Sequence, residues 1–263
     1  MQRVVALRFH EVVADGRPAA ADSDRHHAVR ASELEQLLSG LRHLGCQTVS
    51  SRAFRAWQQG AKTLPDRAVV LTFDDGYASH FDLVAPLLLR YRFSGTFFVT
   101  VGRIGRPGYL TWEQLQKLVF LGMEIGSHGM SRQSFTRLSR AALDEELSGS
   151  KRMIEARLGI PVRALAVPAG LWDQAVAEAA RRSGYDAVWV STVGTNGRQT
   201  HQQALRRVMV RRPFSAERIV SMVEGWQPAF WWAANQQFLI RLLKQTLGIY
   251  WYEQLKRQLA PNA

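Results

Sequence analysis

Two periods alternate along this chain. Short apolar runs, the mark of buried strands, recur between longer stretches in which apolar residues return every three or four positions, the mark of helices. The first run covers residues 4–9 and ends at His10-Glu11. Residues 14–30 carry Asp, Ala, Arg and His without a period and read as a loop, with the His26-His27 pair solvated in it. Ser32 with Glu35 is a capping-box pattern. Leu34, Leu37, Leu38, Leu41 and Leu44 then make the stripe of a helix that Gly45 stops. A short strand near Thr48, a helix over 51–59 and a second buried run, Ala68-Val69-Val70-Leu71-Thr72-Phe73, come next. Helical spacing resumes over 80–91.

Beyond that point the same reading gives strands over 95–101, 124–128, 164–167, 187–191 and 205–210. Between and after them it gives helices from Thr111 to Phe120, from Ser139 to Leu158, over 173–183 and over 215–224. Strands that alternate with helices predict a parallel sheet. About eight strands suit a closed or nearly closed β/α barrel better than an open sheet. The chain shows no internal repeat.

The second buried run ends in Asp74-Asp75-Gly76. The carboxyl ends of strands are where α/β folds place ligands and chemistry. Side chains alternate along a strand, so the two acids share a direction only if the backbone breaks after Phe73, and Gly76 permits such a break. Held close together they repel unless a cation or a proton relieves them. One acid bound to a metal while the other moves protons is the functional reading. A helix N-cap beside a solvated acid is the structural one.

Charge and composition add a direction. The chain has 263 residues, 46% of them hydrophobic, enough for one large domain or two small ones. A net charge of +12 favours anionic partners or serves solubility, and no nucleic-acid-binding motif accompanies it. Cys46 is the only cysteine, so no internal disulfide forms. The start, Met1-Gln2-Arg3-Val4, lacks the pattern of a secretory signal, and no run reaches the length of a membrane span. These features lead us to expect a cytoplasmic protein with room for peripheral membrane contact.

Thr72-Phe73-Asp74-Asp75-Gly76 resembles the first motif of the polysaccharide deacetylases, carbohydrate esterase family 4, and the resemblance extends with gaps over roughly residues 4–224. It implies a distorted (β/α) barrel of about seven to eight parallel strands and a hydrolase that removes acetyl groups from a glycan. It also implies a divalent metal, zinc by preference, with Asp74 as base and Asp75 as metal ligand. The family's second motif is a pair of histidines four positions apart, a spacing that would set both on one face of a helical turn. His128 matches the first and would be a metal ligand. The second position is Arg132, which stays protonated and cannot ligate a metal. Arg132 could instead pair with Asp75 or face substrate, and His80 is a conceivable substitute ligand.

Val167-Pro168-Ala169-Gly170 resembles the third motif with its aromatics replaced. The resemblance makes the Ala169 N–H an oxyanion donor and Pro168 part of the sugar groove, where Trp172 would replace the lost aromatic surface, while Arg207 either orients Asp74 or makes a surface salt bridge. Phe9-His10 stands where the family often has Tyr-His, so His10 would line the site. The family's general-acid histidine has no clear match here.

Residues 225–263 lie outside the resemblance. Their aromatic and basic residues, Trp226, Trp231, Arg241, Lys244 and Trp251 among them, suit a helical extension. It would lie at a membrane interface, or pack as a hairpin on the barrel or on a second copy of the chain. The resemblance thus supports two functions: a deacetylase with a weakened metal site acting on a polysaccharide or oligosaccharide, or an inactive relative that binds glycan or serves as a scaffold in exopolysaccharide biosynthesis.

Overall fold

A computed structural model describes residues 2–19, 27–212 and 215–225. The tail expected over 225–263 therefore lies outside the described residues apart from Gly225, as does His26. The strands are β1 (Val5–Phe9), β2 (Val12–Val13), β3 (Val29–Arg30), β4 (Gln47–Thr48), β5 (Ala68–Phe73), β6 (Thr96–Val99), β7 (Glu124–Ser127), β8 (Ala164–Ala166), β9 (Ala187–Trp189) and β10 (Val208–Met209). The helices are α1 (Ala31–His43), α2 (Ser51–Gln58), α3 (Ala85–Arg90), α4 (Trp112–Phe120), α5 (Arg140–Leu158), α6 (Gln174–Arg182) and α7 (Ala216–Glu224).

The main sheet is parallel, in the order β10-β1-β5-β6-β7-β8-β9, with β4 on the side of β5. Its two ends approach one another. Leu205, just before β10, donates to the Val188 carbonyl and accepts from the Val190 N–H, so one segment touches β9 at its start and β1 at its end. The result is the distorted barrel that the alternation predicts. β2, just before the region expected to be a loop, and β3, at its end, form a small separate pair.

Strand parity divides the interior into two apolar layers. Val5, Leu7, Phe9, Val69, Leu71, Phe73, Phe97, Val99, Leu165 and Val188 face outward onto the helices. Val4, Ala6, Val70, Phe98, Ala164, Ala166 and Trp189 face inward. Strands covered on both faces must be apolar throughout, which is why β1 and β5 read as continuous runs. Phe54 and Trp57 of α2 join the inward layer, and Ser51 accepts from the Trp189 indole N–H at 2.8 Å, so the amino end of the barrel is plugged.

Local signals fix most helix ends. Ser50, Thr111, Ser139, Asp173 and Ser215 each accept a backbone N–H with their side chain at a helix start, each cap stabilising by about 1 kcal/mol. The expected cap at Ser32 is a correction. Helix α1 begins earlier, after Arg30, whose N–H donates to Glu33 at 2.7 Å. Ser32 instead donates its hydroxyl to Asp15 at 2.6 Å, and Glu35 pairs with Arg90. The stretch after Asp75 also differs from a plain helix. It opens as a wide turn over His80–Val84 before α3, because Pro86 has no N–H to close a regular turn.

Candidate active site

Parity that fills the barrel with apolar side chains also delivers charge to its carboxyl end. Continuing the inward positions of β1 past Val4 and Ala6 gives Arg8; continuing β5 past Val70 gives Thr72 and Asp74. The inward positions after β7 and β9 are His128 and Ser191, and Leu205 leads to Arg207. All of these except Ser191 are buried.

Asp74 and Arg207 form a two-pronged pair. Arg207 donates Nη1 to Asp74 Oδ1 at 2.7 Å and Nη2 to Oδ2 at 3.0 Å. Its remaining donors reach Thr72 Oγ1 at 3.2 Å and the Val190 carbonyl at 3.3 Å, and its planar head lies over the Phe98 ring. The guanidinium is 0% exposed and the carboxylate 1%. Burial alone would raise the Asp74 pKa. The Arg207 charge, with His128 and Arg8 behind it, outweighs burial and holds the group below the ordinary carboxylate range. Asp74 is therefore ionised at neutral pH, and each oxygen keeps a lone pair to accept a water proton.

Asp75 is reached differently. The backbone turns left-handed at Asp75 itself (φ 76°) and again at Gly76 (φ 81°), so the break expected beyond Phe73 occurs and both acids face one space. Arg132 Nε stands 2.8 Å from Asp75 Oδ1, and His128 Nε2 stands 3.7 Å from the same oxygen. The Arg132 contact is an ion pair without hydrogen-bond alignment, and both Asp75 oxygens lack a hydrogen-bond donor. His128 Nδ1 lies 2.8 Å from the Ala166 carbonyl, which can only accept, so Nδ1 carries the proton. Burial lowers the His128 pKa despite the two nearby acids, and the neutral ring turns the lone pair of Nε2 toward Asp75.

The helical turn expected across 128–132 is absent. His128 follows β7 directly, and residues 128–134 run as a loop with Gly129 and Arg132 both left-handed (φ 82° and 67°). Glu146 of α5 anchors that loop, accepting the Ser131 N–H at 2.7 Å and the Ser131 hydroxyl. Gly102 donates to the Met130 carbonyl from the other side.

The other expected residues gather at the same end. Pro168 is buried, and Ala169 is exposed in a left-handed conformation (φ 55°) within a tight turn. A Cβ at Gly170 would lie 1.8 Å from Ser191 Oγ, so only glycine lets this turn sit against β9. Trp172 is 39% exposed on the loop that follows. His10 is stacked on His27 with ring centroids 4.8 Å apart, which corrects the solvated reading of His27. Burial, and then the Arg8 charge, push the His10 pKa well below its usual value. His80 does not act as a substitute ligand. Its Nε2 donates to the His10 carbonyl at 2.8 Å, it is packed among Phe73, Tyr77 and Phe97, and burial lowers its pKa to about 4.

Arg8 is the site residue that sequence reading missed. It is buried, donates to Ser191 Oγ, and has its pKa lowered to about 10 by burial and by Arg207. The signal was available: a single cation in an otherwise apolar strand, paired in register with Thr72, two residues before Asp74.

These residues do not fit a three-ligand divalent site. Asp75 and His128 supply two donors, and Arg132 occupies the third place. Among the described residues no group of three or more His, Cys, Asp or Glu side chains is placed to hold a metal ion.

Comparison with known proteins bears on the family and the fold. A sequence model of the polysaccharide deacetylase family matches residues 61–188, just under half of the chain. YxkH of Bacillus subtilis is 25% identical over 197 residues, which are 75% of this chain and 71% of that protein. Poly-beta-1,6-N-acetyl-D-glucosamine N-deacetylase of Escherichia coli is 31% identical over 140 residues, 47% of this chain but 20% of that protein. The fold is shared with the deacetylase PplD of Streptococcus pyogenes at 20% identity and a TM-score of 0.77, over 84% of this chain and 98% of that one.

Proposed function

Since the chain belongs to the polysaccharide deacetylase family, we propose that residues 1–224 form a hydrolase domain that removes acetyl groups from a glycan with Asp74 as general base. The observation that carries this reading is the two-pronged hold of Arg207 on Asp74. It keeps a buried carboxylate ionised and fixed in direction, which is what a base must be. Asp74 takes a proton from water as that water attacks the acetyl carbonyl carbon. The oxyanion that develops faces the Ala169 N–H and the cationic head of Arg132. On collapse the C–N bond breaks, or C–O for an ester, Asp74 returns its proton to the departing nitrogen or oxygen, and acetic acid leaves beside the free sugar amine or hydroxyl. Exposed Trp172 and the turn at Pro168 offer a surface for a sugar ring, and His10, which follows β1 at the same carboxyl end of the sheet, lines the site as well. The name of the Escherichia coli relative makes an N-acetylglucosamine polymer the first substrate to try.

The test is acetate release from such a polymer and from a small acetyl ester. Asp74→Asn is expected to lower turnover by about 100- to 10,000-fold, the usual worth of a positioned base. Turnover kept within a few-fold of wild type would remove Asp74 from that role.

One observation favours a second reading. Arg132 stands where a third ligand would be needed, so a chain that binds glycan without turning it over is the alternative. Saturable binding of the polymer with no acetate released from either substrate would select it. Among the described residues no helix is long and apolar enough to cross a membrane, and contact of the tail with a membrane or with a second copy remains a proposal from its sequence.

A further inference from the structure

We propose that Arg132 is a built-in cation that takes the place of the divalent ion, so that this chain holds its acid pair without a tightly bound metal. The inference deepens the deacetylase reading, because it concerns the same site. It rests on four observations.

The first is charge. Asp74 and Asp75 face three guanidinium groups, those of Arg207, Arg132 and Arg8. The cluster thus carries one net positive charge from its own side chains, and a divalent ion would bring two more into a buried space. Desolvated like charges at these separations repel strongly.

The second is reach. Arg132 meets Asp75 Oδ1 with Nε, at 2.8 Å. Nε of arginine is four bonds from Cα, the same count as Nε2 of histidine. An imidazole at this position would therefore bring a lone pair to the place where Nε now stands. The arginine fills a ligand's seat.

The third is the remaining half-site. His128 already holds its proton on Nδ1 against Ala166 and offers Nε2 beside Asp75, as metal-ligating histidines do. The two Asp75 oxygens are buried without hydrogen-bond donors. Two thirds of a metal centre are thus in place, and only the third donor has been exchanged for a cation.

The fourth is backbone. Arg132 sits at φ 67°, a conformation uncommon for side-chain-bearing residues but one in which histidine is enriched. Glu146 and Gly102 hold the residues just before it, Ser131 and Met130. Exchange of the side chain should leave the seat in place.

The experiment compares zinc and cobalt(II) binding by the wild-type chain and the Arg132→His variant, both purified without chelator. Metal content after dialysis, calorimetric titration and the visible absorption of bound cobalt(II) are the readouts. We expect wild type to retain far less than one metal per chain. Arg132→His should hold one per chain at least about 100-fold more tightly, since losing even a supporting partner of a ligand costs 10–100-fold. Cobalt(II) in the variant should show the intense visible bands of a four-coordinate site. One tightly held zinc per wild-type chain would overturn the inference, and this measurement needs no variant to fold. So would an Arg132→His chain with unchanged circular dichroism and melting temperature that binds metal no better than wild type. Neither readout uses turnover, so failure here leaves the deacetylase reading to its own test at Asp74.

Discussion

Asp74 and Asp75 are consecutive residues, each neutralised by an arginine, yet the two pairs are built by different parts of the fold. Arg207 arrives from a strand edge, along the inward parity that places Leu205 in the barrel, and its partner follows the same parity from β5. Neither residue of that pair is left-handed. Arg132 arrives from a loop and meets a carboxylate on a turned backbone, and both members of the pair have positive φ. Such conformations cost of order 1–3 kcal/mol each and persist where surrounding structure imposes them. Sheet geometry therefore gives a closed, inflexible pair, while the loop gives one that can be exchanged. On the proposed mechanism, that difference suits a base that must not move beside a cation position that can change chemistry.

The largest expected effect breaks the first pair. Arg207→Met leaves Asp74 charged and buried with no partner, which should cost about 3–5 kcal/mol of folding stability. Urea unfolding at neutral pH measures it. A loss no greater than that from removing the Arg132 head would erase the distinction between the two pairs.

Acid sharpens the same comparison. The Asp74 pKa is depressed in the folded chain, through Arg207 against the opposing effect of burial. Its contribution is thus fully present above the unfolded carboxylate pKa and is lost as pH falls through the lower folded value. In Arg207→Met burial is opposed only by His128 and Arg8, so that pKa rises relative to wild type and the variant gains from protonation sooner as pH falls. The stability gap between the two proteins should narrow toward acid, by up to about 1.4 kcal/mol per pH unit below the variant's folded-state pKa. Unfolding curves at several pH values between neutral and mildly acid test this. A gap that stays constant would mean that the charge on Asp74 is not what Arg207 supports.

What could be read from sequence divides along the same line. The alternation of strands and helices and most helix caps follow from periods and capping residues, because each depends on neighbours in the chain. Asp74 was legible because it closes a predicted buried strand, and Arg207 only through the family resemblance, inside the strand expected over 205–210. Arg8 was legible in principle, as a cation at inward parity, but a single charge in an apolar run reads as tolerance until its register with β5 is known. The link between His128 and Arg132 was read as a helical turn because their spacing fits one. The loop that joins them depends on Glu146 and Gly102, which lie far away in sequence and carry no local signal. The start of α1 was misplaced for a related reason, since Asp15 takes the Ser32 hydroxyl from across the loop.

The smallest expected effect isolates what the loop stores. Arg132→Ala and Arg132→Gly remove the same guanidinium, whose side chain is 31% exposed, and both leave Asp75 without its ion pair. The shared part of the loss should fall below that at Arg207, because removing a head that is itself partly exposed lets water reach the buried acid. The two variants differ only in backbone freedom. Alanine must be held at φ 67°, where glycine rests without strain. Arg132→Gly should therefore be the more stable of the two by about 1 kcal/mol, and close to wild type. Matched melting curves read this difference directly. If alanine proved as stable as glycine, the loop would not be imposing its shape on position 132, and Arg132 would be choosing that shape for the sake of Asp75.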